Sequence, residues 1–293
     1  MPAQLLRHPS PAELPALIEL IVTCQQDPQR SCLHLDHQSA SIQADLQALS
    51  HPPEQAFRIL YDARGQIQGA LGLDLSQQRG WLHGPFAQGD CEAVYARLWQ
   101  DLWQRLPAGI QQLSNFIDMA AQDLRDSHLA QGFVSSTPSY IFQMPAQLQS
   151  AEAGLPEASA TEAEALANLH STAFPQTWLS PAELIRAQAP QEALLCLSQQ
   201  GLPVGYVRVS QAEGLSQGQI DFLAVQPQYQ GQGLGRRLLQ AGLHWIFNLR
   251  GLAEAHLVVS SDNPAALQLY HSVGFELLRT GLPLNWHRSG QSG

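Results

Sequence analysis

No uninterrupted apolar run in the sequence approaches the ~18 residues needed to cross a bilayer. The N-terminus, Met1-Pro2-Ala3-Gln4-Leu5-Leu6-Arg7-His8, lacks a charged segment followed by an apolar one. These two absences argue against a membrane protein and a secreted one, so a cytoplasmic protein is expected. The four cysteines, Cys24, Cys32, Cys91 and Cys196, are scattered without metal-ligand spacing, which favours reduced thiols over a disulfide framework. No metal is expected. Positive charge is scarce: 15 Lys and Arg stand against 25 Asp and Glu, for a formal net charge of -10. That balance repels polyanions, so nucleic acid is not an expected partner. It modestly attracts a cationic amine, although acidic surfaces commonly serve solubility alone.

What is there is a globular balance, 44% hydrophobic and 14% charged residues over 293 positions, long enough for two domains. The stretch through Pro145, Gln147, Ser150, Gly154, Pro156 and Ala158 is small, polar and Pro/Gly-punctuated, as a linker is. It divides the chain into 1–146, a linker over 147–158, and 159–293. The two halves repeat the same order of signals. Pro227, Gln230, Gly231 and Gly274-Phe275 each have a counterpart 142 residues upstream, at Pro85, Gln88, Gly89 and Gly132-Phe133. Gly201 and Gly205 fall on Gly65 and Gly69 at an offset of 136, so the second half carries six extra residues, assigned to the polar stretch Gln211 to Gln219. An ordered set of landmarks at constant offset points to duplication.

In the second half, Gln219 to Val225 reads as a buried strand that Gln226-Pro227-Gln228-Tyr229 stops before the glycine loop Gln230-Gly231-Gln232-Gly233-Leu234-Gly235. Leu234, Leu238, Leu239, Gly242, Trp245, Ile246 and Leu249 then recur at helical spacing, so the loop opens onto a helix N-terminus. Ala255 to Val259 reads as the next strand, and strand, crossover helix, strand implies a parallel pair. Three glycines without side chains leave backbone N–H groups open to a phosphate at the helix start. Charge-assisted bonds of roughly 1.5 to 3 kcal/mol each can hold a pyrophosphate there without metal or lysine. Arg236 and Arg237 add positive charge; an ordinary close-packed turn is the alternative reading.

Downstream, Asn263, Ala266, Leu269-Tyr270 and Gly274-Phe275 complete a pattern begun by Gln230, Gly233 and Gly235. Together these segments resemble the GNAT (GCN5-related N-acetyltransferase) superfamily, strongly over roughly the last 135 residues and weakly over the first half. The resemblance implies an α/β fold, more fully an α+β mixed sheet. Two tandem GNAT-fold domains are expected, each a mostly antiparallel sheet with a splayed parallel strand pair flanked by helices. It further implies acetyl-CoA, or another acyl-CoA, as co-substrate, with pantetheine along Leu223, Ala224 and Val225. The pyrophosphate would lie on Gln230, Gly231, Gln232, Gly233, Leu234, Gly235 and Arg236, and Asn263 and Tyr270 would stand beside the pantetheine arm. Acyl transfer would be direct attack by an amine, with a backbone N–H at Leu223 stabilising the oxyanion.

The same resemblance makes Tyr270 the general acid that protonates the departing thiolate; a core aromatic is its structural alternative. Asn263 before Pro264 also has the form of a helix cap. For the base, strand alternation puts Gln219, Asp221 and Leu223 on one face, making Asp221 the candidate. Gln219 stands where many family members carry a glutamate base, a departure that leaves Asp221 ammonium binding or simple pairing as other roles. His244, His256 and His271 read as packing or surface residues.

In the first half the loop becomes Gln88-Gly89-Asp90-Cys91-Glu92-Ala93, with two glycines lost and two carboxylates gained, while His128 falls opposite Tyr270 and Ala121 opposite Asn263. That half is expected to keep the fold without binding coenzyme A, a tandem arrangement like that of mycothiol synthase-like enzymes. The expected activity is acyl-CoA-dependent N-acyltransfer to a primary amine of a small molecule or peptide. The alternative is a non-catalytic acyl-CoA sensor or scaffold. A transferase using charged transfer RNA is disfavoured by the acidic composition.

Overall fold

The computed structural model describes residues 5–150, 154–175, 177–186, 189–211 and 215–288. It comprises two compact units, Met1–Ser139 with Arg279–Gly293, and Tyr140–Leu278.

The first unit contains β1 (Leu6–Arg7), α1 (Leu14–Gln25), α2 (Ser39–Gln47), α3 (Pro53–Ala56), β2 (Phe57–Tyr61), β3 (Ile67–Ser76), β4 (Arg79–Ala87), α4 (Cys91–Arg105), β5 (Gln112–Asp118), α5 (Gln122–Ala130) and β6 (Val134–Ser135). From Arg279 the chain's last strand, β12 (Glu276–His287), also belongs to it. Its strand order is β1-β2-β3-β4-β5-β12. All these pairs are antiparallel except β4 and β5, whose parallel ladder runs only from Arg79↔Gln112 to Trp81↔Ser114. One face buries Leu98, Trp99 and Leu102 of α4; the other buries Leu17, Ile21 and Ile42 against Phe57, Ile59 and Phe86.

The second unit contains β7 (Ser139–Pro145, from Tyr140), α6 (Ala163–Ala173), α7 (Pro181–Leu184), β8 (Glu192–Gln199), β9 (Leu202–Gln211), β10 (Gln217–Val225), α8 (Leu234–His244), β11 (Glu254–Ser260) and α9 (Pro264–Val273). Its strand order is β7-β11-β10-β9-β8. Here β10 and β11 form the parallel pair, from Gln217↔Glu254 to Ile220↔Leu257, and their ladder ends there. The α8 face buries Val207, Val209, Ile220, Leu238 and Ile246, and the α6–α7 face buries Leu166, Leu184, Leu194, Tyr206 and Phe222. The expected mixed sheet with a splayed parallel pair is present in each unit.

The duplicated glycines have a packing reason. A Cβ on Gly205 would lie 2.8 Å from the Ala224 carbonyl oxygen and 2.9 Å from Leu238 Cδ1, so glycine is what lets α8 lie on β9. Gly69, its counterpart, is held against Val94 of α4 in the same way.

Residues 147–150 and 154–158 belong to the second unit. The Ala158 N–H donates to the Leu194 carbonyl at 2.7 Å and the Cys196 N–H donates to the Pro156 carbonyl at 3.0 Å. Small residues with free backbone groups there cover the outer edge of β8. Residues 151–153 of that stretch, and 212–214 of the Gln211 to Gln219 insertion, lie outside the described residues. Among the described residues no helix is long and apolar enough to cross a membrane.

Candidate active site

In the second unit β10 ends at Val225, a 3₁₀ turn over Pro227–Tyr229 follows, and α8 begins at Leu234. Gly231 and Gly233 have φ of 73° and 78°, a left-handed backbone that favours glycine, and nothing lies within 4 Å of where their side chains would project. Gly233 is the N-cap of α8 and supplies no capping side chain. The first amides of this helix therefore keep their hydrogen-bonding capacity for an anion. Gly235 differs: its φ is not left-handed, and an added Cβ would only touch Leu269 Cδ2 at 3.5 Å.

The loop is braced from both sides. Gln230 Nε2 donates back to the Val225 carbonyl at 3.0 Å, and Arg236 Nη2 donates to Ser272 Oγ at 2.6 Å, tying the start of α8 to the end of α9. Gln232 Nε2 reaches the Gln228 carbonyl only at 3.5 Å. The chain has no lysine, so Arg236 and the exposed Arg237 are the cations of this loop.

Leu223, Ala224 and Val225 pair with Val207, Tyr206 and Gly205 of β9, while the β11 ladder has already stopped at Ile220. The β11-facing edge of these three residues is thus the open side of the splay. Tyr270 lies on α9 with its ring near Phe142 and Phe275, at centroid distances of 6.4 and 5.9 Å. Burial pushes its phenol up to about 12, so it is protonated at neutral pH. No hydrogen bond holds its hydroxyl among the described residues. Asn263 caps α9, its Oδ1 accepting from the Ala266 N–H at 3.1 Å, with Pro264 at the first helical position.

The expected placement of Gln219, Asp221 and Leu223 on one face does not hold. A β-bulge between Ile220 and Phe222 resets the alternation. Ile220 and Leu223 pack on the α8 side and Phe222 and Ala224 on the α6–α7 side. Asp221 turns toward β9, where Arg208 Nη1 donates to its Oδ2 at 2.5 Å and Ser210 Oγ donates to its Oδ1 at 3.0 Å. Burial pushes this carboxyl up to about 6, against the opposing pull of Arg208 and Ser210.

Sequence reasoning missed the rest of this cluster. Arg208 Nη2 also meets Glu192 Oε1 at 2.8 Å, and the guanidinium lies 5.6 Å from the centroid of the Trp178 ring. Close by, Tyr206 and His170 are joined by a 2.5 Å Oη···Nδ1 contact, and His170 Nε2 lies 2.9 Å from the Leu179 carbonyl. The available signal was a lone arginine inside the apolar run Val204-Gly205-Tyr206-Val207-Arg208-Val209.

The same region of the first unit is built differently. Gly89 keeps its left-handed φ of 74°, but Asp90 caps α4 by accepting from the Ala93 N–H at 3.2 Å, so the helix start already holds a carboxylate. The splay between β4 and β5 is filled by the chain itself. Leu33 N–H donates to the Phe116 carbonyl at 2.6 Å, Asp118 N–H donates to the Ser31 carbonyl at 3.0 Å, and Cys32 bridges Ile117. From the other side His34 Nδ1 lies 2.9 Å from the Leu82 carbonyl. Asn115 Nδ2 lies 2.8 Å from Nε2 of His128, the residue opposite Tyr270; burial pushes that imidazole down to about 4, so it is neutral. Ala121, opposite Asn263, has no side chain to cap α5.

Residues 163–275 match the model of the acetyltransferase (GNAT) family. A mycothiol acetyltransferase of Rhodococcus opacus (strain B4) is 36% identical over 105 residues, which cover 36% of this chain and 33% of that protein. The chain thus spans about a third of the length of such curated relatives. Among solved structures, a GCN5-related N-acetyltransferase from Sphaerobacter thermophilus aligns over 99% of this chain and 98% of its own, with a TM-score of 0.75 at 17% identity. A tandem GNAT protein from the clavulanic acid biosynthesis pathway aligns over 99% of this chain and 100% of its own, with a TM-score of 0.66 at 14% identity. Residues 163–275 are therefore a domain of the acetyltransferase (GNAT) family, in a chain that shares its fold with tandem GNAT proteins.

Proposed function

We propose that this protein is an acetyl-CoA-dependent N-acyltransferase with one co-substrate site, in the second unit, acting on a primary amine of a small molecule or peptide. Three features of the second unit carry this reading: the open edge of Leu223 to Val225, the uncapped glycine turn into α8, and the Tyr270 hydroxyl, which has no hydrogen bond among the described residues. Backbone groups of Leu223, Ala224 and Val225 take the pantetheine. The amides from Gly231 to Arg236 take the diphosphate, aided by Arg236. Asn263 and Tyr270 flank the arm.

The amine nitrogen attacks the thioester carbonyl carbon, the N–C bond forms, and the C–S bond breaks. The Leu223 N–H stabilises the oxyanion, Tyr270 donates its phenolic proton to the leaving sulfur, and Asp221 receives the proton released by nitrogen. Tyr270 suits its role because it is protonated at neutral pH, and Asp221 suits its own because about 6 lies just below that pH. The relatives' name, mycothiol acetyltransferase, supports a small-molecule acceptor. In the first unit, the Asp90 cap and residues 31–34 in the splay support a domain that keeps the fold and does not bind coenzyme A.

Coenzyme A release in the presence of an amine panel tests this reading. A second reading, a non-catalytic acyl-CoA sensor, is favoured by the engagement of both Asp221 oxygens and by glutamine at position 219. Tight acetyl-CoA binding without release of coenzyme A by any amine would select it.

A further inference from the structure

Glu192, Arg208 and Asp221 bring two carboxylates and one guanidinium together on the α6–α7 side of the sheet. With both carboxylates ionised the cluster carries one uncompensated negative charge. An unpaired charge in a buried place is costly unless something cationic completes it. The missing partner has a definite address: among the described residues Glu192 Oε2 is buried and without a hydrogen bond, and so is Arg208 Nε, on a side chain only 4% exposed. Among the described residues, neither Ser210 nor His170 supplies a cation to the cluster. Ser210 is already donating to Asp221, and the His170 imidazole is held below its ordinary range by burial and by Arg208. The indole of Trp178 covers the guanidinium while itself remaining exposed.

We propose that Glu192, with Arg208 and Trp178, is the site that receives the ammonium group of the acceptor. The inference rests on the acyltransferase reading and adds the recognition chemistry to it. A primary ammonium donates to Glu192 Oε2 and brings the cluster to neutrality. A neutral oxygen beside the amine accepts from Arg208 Nε, and the Trp178 face offers a cation–π wall. Asp221 lies next to this site and two residues before Leu223. Docking and deprotonation are therefore adjacent. Acceptors bearing a carboxylate close to the amine are disfavoured by the net charge.

The test is a fluorescence titration of the full chain with butylammonium chloride, ionic strength held constant with sodium chloride and butan-1-ol as the uncharged isostere. Subtracting the Trp178→Phe signal isolates Trp178. A saturable change is expected with butylammonium and none with butan-1-ol. Glu192→Gln should raise the midpoint by at least about ten-fold. Glu192→Asp, which keeps the charge, should restore it at least in part, and circular dichroism of both variants reports their folding. An unchanged midpoint in folded Glu192→Gln, no saturable response, or an equal response to butan-1-ol overturns the proposal. Acetyl-CoA titrated separately by calorimetry keeps the two readings apart: its failure to bind removes the acyltransferase reading, whereas the butylammonium response alone decides the cation site.

Discussion

The side-chain amide of Asn115 donates to the carbonyl oxygen of Gly84 at 2.6 Å, joining β5 to β4 beyond the point where their parallel ladder ends at Trp81↔Ser114. In the second unit the corresponding edge, past Ile220, has no such side-chain bridge among the described residues. One unit satisfies its splayed strands with its own polar groups, and the other leaves the edge past Ile220 without such a bridge among the described residues.

The expected stoichiometry is one acetyl-CoA per chain by calorimetry. Asp90→Asn should leave it at one, because residues 31–34 still fill the splay. Two bound molecules in the unaltered chain would end the single-site reading.

Gly233→Ala places a side chain on a backbone with φ of 78°, at a cost of about 1 to 2 kcal/mol. The loop then relaxes away from its anion-binding form, and acetyl-CoA affinity should fall by about ten-fold. Gly235→Ala, meeting only Leu269 Cδ2 at 3.5 Å, should change affinity far less. Equal losses in the two variants would count against the assigned loop geometry.

Tyr270→Phe should lower kcat for coenzyme A release by about 100-fold, within the range for a lost general acid, while the affinity for acetyl-CoA stays unchanged. Activity equal to the unaltered protein would remove the acid role.

Burial pushes the imidazoles of His83 and His128 down to about 3 and about 4. Their unfolded values are ordinary, so between about 6.5 and 4 the unfolded chain binds protons that the folded chain does not. Stability is full above that window and declines as pH falls through it, by up to about 1.4 kcal/mol per pH unit for each histidine. Urea midpoints measured from pH 7 to 5 check the slope. His83→Phe should flatten it.

Arg208→Met leaves Glu192 and Asp221 buried without their shared cation. Breaking a buried pair from one side costs about 3 to 5 kcal/mol, which urea unfolding at neutral pH should show. A loss near zero would mean that the guanidinium does not offset the burial of the two carboxylates.

The sequence by itself determined the glycine turn into α8, because its requirements are local. Left-handed glycines at 231 and 233, the proline turn before them and the Asn263-Pro264 cap are properties of a few adjacent residues. It also determined the doubling, since Gly69 and Gly205 each admit a helix against the sheet and cannot drift independently of it. Only the tertiary structure decided that Leu223 leaves the face of Asp221, because one bulged residue reverses the faces that alternation assigns beyond it. It alone decided that residues 31–34 fill the splay of the first unit, that Pro156 and Ala158 pair with β8, and that Glu192, Arg208 and Trp178 meet. Each of these joins segments distant in sequence or redirects a side chain, and neither is encoded in local periodicity or spacing.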